Sequence, residues 1–123
     1  MKSFKQHILE KLKVSKHTLT LFPKTKVELK QMIKDEISKN GYECSLNHID
    51  VSKITDMSEL FMDSNFNGDI SMWDVSKVEN MEGLFWWSAF SGDITNWDVS
   101  SVTDMKYMFY NCSIKEEYKP KFK

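Results

Sequence analysis

The sequence predicts an α/β fold: a short right-handed solenoid of three 24-residue coils behind an N-terminal helical cap. Three observations predict it. Apolar and polar residues recur in register, at a period of 24, between residues 46 and 114. Within each period the apolar spacing changes from that of a half-buried strand to that of a helical turn. Before the repeats lies a lysine-rich stretch with helical periodicity and recognisable start and stop residues. The 123 residues are one domain's worth of chain. They divide into a cap over 1–45, repeats over 46–114 and a basic tail over 115–123.

The cap comes first. Phe4, Ile8 and Leu12 recur every four residues, which predicts an amphipathic helix near residues 3–13. Phe22-Pro23 breaks the chain. Thr25 and Glu28 then form a capping-box pattern. Leu29, Met32, Ile33 and Ile37 share one helical face, and Gly41 is placed to end it, so a second helix is expected near 25–40. A stack of repeats needs its end covered, and this helix is expected to cover the first coil.

Each coil carries four apolar residues spaced three, two and three apart. They are Leu46, Ile49, Val51 and Ile54, then Ile70, Trp73, Val75 and Val78, then Ile94, Trp97, Val99 and Val102. This is the leucine-rich pattern L-x-x-L-x-L. The middle pair, two residues apart, predicts a strand with one face inward. Met81, Leu84 and Phe85 follow with the spacing of one helical face. Asp56, Asn80 and Asp104 precede that turn, where a short polar side chain caps free amides. Asn67-Gly68 and Ser91-Gly92 are expected to turn the chain back. The whole is therefore expected to be a leucine-rich-repeat solenoid.

Trp73-Asp74-Val75-Ser76, its copy at 97–100, and Asp104-Met105-Lys106-Tyr107-Met108-Phe109 carry a family resemblance. The stretch 46–114 resembles the BspA-like leucine-rich repeat proteins, the bacterial surface protein 26-residue repeat group abundant among Mollicutes lipoproteins. The resemblance implies a non-enzymatic protein-protein interaction module, bacterial or phage-encoded. A surface adhesin that binds host or extracellular ligands is the alternative it implies.

Charge narrows the partners. All 17 basic residues are Lys; Arg, whose planar fork serves phosphate and guanine recognition, is absent. Residues 1–44 hold ten Lys and five acids, residues 45–112 three Lys and eleven acids, and residues 113–123 four Lys and two acids. An acidic middle between basic ends disfavours nucleic acid and anionic membrane. No apolar run approaches the ~20 residues of a membrane helix. The N-terminus lacks the apolar stretch and cleavage site of a signal peptide, so a cytoplasmic protein with free thiols is expected. The nine residues after Ile114 cover the last coil only in part, and a homodimer through that C-terminal edge is one way to cover the rest.

Eight residues stand out as partner-binding candidates. Asp50, Asp74 and Asp98 occupy equivalent outward positions. They either receive a basic peptide or cation or accept hydrogen bonds within the repeat, and their uniformity favours the second. His48, Met72 and Asn96 are equivalent but differ, as specificity positions do. Trp86 aligns with Met62 and Tyr110, whereas Trp87 aligns with polar Asp63 and Asn111. Trp87 is thus read either as an exposed contact or as a ring repacked over Gly83. No metal, cofactor or catalytic set is expected. His7, His17 and His48 are scattered, no Cys-x-x-Cys exists, and the glycines are isolated.

Overall fold

A computed structural model of the chain describes residues 19–122. The helix expected near 3–13 lies outside the described residues. Helix α1 spans Lys26–Asn40. Thr25 sits in extended backbone before it, and its hydroxyl accepts the Glu28 N–H at 3.2 Å. Glu28 Oε1 reaches back to the Lys24 N–H, also at 3.2 Å. At the other end the Gly41 N–H donates to the Ile37 carbonyl at 2.7 Å. The helix buries Leu29 and Ile33 and is tied down by polar contacts at Lys26 and Glu36. Lys26 Nζ donates to the carbonyl and hydroxyl of Ser58, and Glu36 pairs with His48.

Beyond α1 the architecture departs from the sequence expectation. Among the described residues there is one α-helix and one 3-10 turn, Glu116–Tyr118. Strand pairing is confined to three isolated parallel bridges: Leu21 with Ile49, Asp56 with Asn80, and Asn80 with Asp104. No sheet forms. The α/β leucine-rich-repeat solenoid is therefore corrected: its strands are absent, and so are its helical turns.

The hydrogen bonds give the reason. Apolar residues three apart close consecutive i→i−3 turns instead of bracketing a strand. Trp73 N–H donates to Ile70 O, Val78 to Val75 O and Leu84 to Met81 O, at 3.0–3.2 Å. Asp74 bends the intended strand by accepting the Ser76 N–H and hydroxyl, at 3.0 and 2.6 Å. Such Asx turns compete directly with extended pairing. Asp56, Asn80 and Asp104 likewise accept the N–H two residues on, from Ser58, Glu82 and Lys106. They organise a turn, with no helix following.

The segment after each of these turn residues cannot be helical for a second reason. Glu59, Gly83 and Tyr107 stand 24 apart and all have left-handed backbone, with φ near +60°. Asp63, Trp87 and Asn111 do the same, four residues further on. Left-handed residues every fourth position interrupt both helix and strand. They also aim alternate amides outward. Met57, Glu59, Phe61 and Asp63 donate to the carbonyls of Asn80, Glu82, Leu84 and Trp86, at 2.8–2.9 Å. Met81, Gly83, Phe85 and Trp87 donate in the same way to Asp104, Lys106, Met108 and Tyr110. Each turn strip thus lies on the next through single hydrogen bonds.

Rings run through the centre of this arrangement. Phe61 stacks on Phe85 at 5.8 Å and Phe85 on Phe109 at 5.9 Å. Phe66 stacks on Phe90 and Trp73 on Trp97. The buried indoles keep their polar atom satisfied: Trp73 Nε1 donates to Leu46 O and Trp97 Nε1 to Ile70 O. The core consists of the apolar ladder residues with Leu29 and Ile33 of α1.

Candidate functional site

The third turn strip and its neighbour build an aromatic surface. Trp86 stacks on Tyr107 with centroids 5.1 Å apart and meets Tyr110 edge-on at 6.3 Å. Tyr107 and Tyr110 are themselves edge-to-face at 6.0 Å. Trp87, Tyr107 and Tyr110 are each more than half exposed, and Met62 is exposed on the preceding strip. Trp87 is 58% exposed and holds φ +58°. A bulky side chain in left-handed backbone costs about 1–2 kcal/mol. Asp63 and Asn111, its counterparts, belong to the types that tolerate that conformation. Tyr107, φ +58° and 54% exposed, carries the same strain, so both left-handed aromatics stand on this surface.

The alternative reading of Trp87 is corrected in part. The ring beside Gly83 belongs to Trp86, whose Cε3 lies 3.4 Å from where a Gly83 Cβ would stand. Trp86 Nε1 is buried with no acceptor among the described residues, unlike Trp73 and Trp97. Trp86 is thus the packed member of the pair, and Trp87 the exposed one. Sequence reasoning missed Tyr107 and Tyr110. Tyr107 carried the same signal as Trp87, an aromatic where its counterparts, Glu59 and Gly83, are not.

The other candidates are spread apart in role. Asp50 accepts the Ser52 N–H, Asp74 the Ser76 N–H and hydroxyl, and Asp98 the Ser100 N–H and hydroxyl. All three therefore serve the turn that carries them. His48 pairs with Glu36 and is committed to holding α1. The Met72 N–H donates to Asn47 Oδ1, and its side chain is half-buried. Asn96 is exposed.

Three groups, Asp56, Cys44 and Cys112, have shifted titrations. Burial raises the Asp56 carboxyl, but hydrogen bonds from Ser58 and the Lys26 charge outweigh it and hold the group below its usual range. A carboxyl depressed in the folded state stabilises the fold above its unfolded pKa of about 3.9, and that contribution is lost as pH falls through the folded value. Asp56→Asn keeps the turn acceptor, as Asn80 does at the equivalent position. The variant should therefore lose less of its urea midpoint than wild type between about pH 7 and pH 3, measured by circular dichroism. Burial, first, pushes both thiols up; Glu36 adds to this at Cys44, while Lys119 opposes it at Cys112. Both cysteines are free. A protonated thiol such as Cys112, donating to Phe90 O at 3.1 Å, is a poor nucleophile.

No group of three His, Cys, Asp or Glu able to hold a metal occurs among the described residues. No helix among them is long and apolar enough to cross a membrane.

Residues 27–119 match the family model described as Mycoplasma protein of unknown function, DUF285. The chain belongs to the DUF285 family. The matched region takes in nearly all of α1, the three turn strips and the Glu116–Tyr118 turn. The DUF285 region of this chain therefore includes the aromatic surface as well as the stacked core. No curated protein and no solved structure matches the chain.

Proposed function

We propose that this DUF285 protein is a non-enzymatic protein-protein interaction module whose contact surface centres on Trp87. The observation that carries the reading is the exposed indole of Trp87, held on left-handed backbone next to Trp86, whose ring packs on Tyr107 and Tyr110, with the Trp87 N–H donating to Tyr110 O. Strain retained at an exposed aromatic serves contact better than it serves packing. Trp and Tyr are also enriched where partners bind. Residues 45–112 carry a net charge of -8, so a partner with Lys or Arg against the rings gains both coulombic and cation–π attraction. The BspA-like resemblance of the Trp-Asp-Val-Ser repeats supports a bacterial or phage-encoded interaction role. A cytoplasmic location belongs to the same reading, and cell fractionation tests it.

The test is Trp87→Asn, the residue its counterpart position already uses at 111. Relief of left-handed strain offsets the lost partial burial, so stability should stay within about 1 kcal/mol of wild type. Partner capture on the immobilised chain should fall about tenfold or more, as for a hot-spot residue. Capture by the variant equal to wild type, with the fold intact, would sink the reading.

A further inference from the structure

The third turn strip ends the ladder with its donors unused. Met105, Tyr107, Phe109 and Asn111 are the counterparts of the four donors in each earlier strip. Among the described residues their N–H groups have no acceptor, while the alternate amides of Met108, Tyr110 and Cys112 close their own turns. Burial tells the same story. Met57 and Met81 are 0% exposed, yet the equivalent Met105 is 41% exposed. Phe109 has Phe85 on one side and only the Lys119 ammonium, 5.0 Å from its centroid, on the other.

The tail covers this layer on one side. The Tyr118 carbonyl accepts the Ile94 N–H at 3.0 Å, but among the described residues no carbonyl follows opposite residues 105–111. A groove of about 690 Å³ remains between the strip and the tail, walled by Met105, Tyr107, Phe109, Pro120 and Phe122.

We propose that the 105–111 strip is a docking edge for a segment of a partner protein. That segment presents backbone carbonyls at alternate residues and apolar side chains toward Phe109. The occupant follows from the two internal layers, which satisfy the same four donors in the same register with four carbonyls two residues apart. Backbone pairing of this kind is a recurrent recognition mode. A second copy of this chain does not fit. Its own 105–111 strip would set donors against donors. Its acceptor side, the Asp56 to Met62 carbonyls, lies beside α1 with Lys26 on Ser58 O. The proposed contact is therefore with a different protein, and the oligomeric state in solution decides between it and the homodimer through the C-terminal edge. The edge adjoins the aromatic surface and shares Tyr107 with it, but it acts through backbone N–H groups and not through the Trp87 ring, so Met105→Glu and Trp87→Asn test the two separately.

The test titrates the full ¹⁵N-labelled chain with a blocked peptide of its own residues 79–88, which offers the Asn80, Glu82, Leu84 and Trp86 carbonyls. The expected result is amide shifts and slowed hydrogen exchange at Met105, Tyr107, Phe109 and Asn111. Met105→Glu, a change at an exposed side chain, should weaken the binding about tenfold by setting a carboxylate against the incoming carbonyls. Absent binding at millimolar peptide, shifts confined to other residues, or amides already protected in the free chain would each overturn the proposal. So would dimerisation by light scattering that protects the same four amides.

Discussion

Phe85→Ala is expected to cost about 3–5 kcal/mol, enough to unfold a marginal domain or bring it near its midpoint at ambient temperature. Phe85 is fully buried at the crossing of two ring rows. It stacks on Phe61 and Phe109 along the ladder, and on Phe90 and Trp97, at 4.6 and 6.2 Å, across it. Removing it leaves four rings facing a void that no neighbour can fill, because each is held by its own layer. Phe109→Ala is the internal comparison. That ring ends the ladder, is only half-buried, and can be replaced by solvent or tail, so its loss should cost about half as much or less. Urea denaturation of both variants, followed by near-ultraviolet dichroism, checks the difference. Equal losses would mean that the ring ladder is not the central contributor to the fold.

Gly68→Ala is expected to cost at least about 3 kcal/mol, at the upper end of overpacking effects. The reason is close approach, not backbone freedom. A Cβ at Gly68 would stand 1.8 Å from the Cys44 carbonyl oxygen and 2.7 Å from its carbon. The obstacle is backbone, so the turn at Cys44 must move. Asn67, the preceding residue, is itself bonded to Tyr42 O and to Ser91 of the next layer, so the shift spreads. Gly92 stands 24 residues on, but its Cβ would meet the Phe90 ring edge at 2.9 Å. A ring can tilt where a carbonyl cannot, so Gly92→Ala should cost about 1 kcal/mol. Thermal melts of the two alanine variants, run side by side, separate these outcomes. A Gly68→Ala melt as high as that of Gly92→Ala would contradict the close approach.

Several features were open to reading from residues alone, and the reasons differ. Thr25, Glu28 and Gly41 mark α1 because caps and stops act within a few residues of chain. The inward residues were also legible: Ile70, Trp73, Val75 and Val78 are all buried, as are Met81, Leu84 and Phe85. What those residues form was not legible. A spacing of three, two and three suits a strand with flanks, and it equally suits consecutive i→i−3 turns. Asp74-Val75-Ser76 held the clue, since Asp accepting from the amide two residues on is turn chemistry. Gly68 was read as a reversal signal, whereas its role is to admit the Cys44 carbonyl. His48 looked like a variable surface position because Glu36, its partner, is twelve residues away on another element.

The sequence by itself determined which side chains go inside, and that equivalent residues 24 apart in the first two layers would share an environment. Hydrophobicity and turn preference are properties of single residues and their near neighbours, so they can be read one residue at a time. Tertiary structure alone decided that the strips are left-handed turns joined by single hydrogen bonds, and not strands in a sheet. It also decided that Trp86 packs while Trp87 stands exposed, and that the amides of Met105, Tyr107, Phe109 and Asn111 find no acceptor among the described residues. These outcomes depend on which carbonyl lies opposite each N–H, some 23 residues along the chain. No local preference specifies that partner until the layers meet.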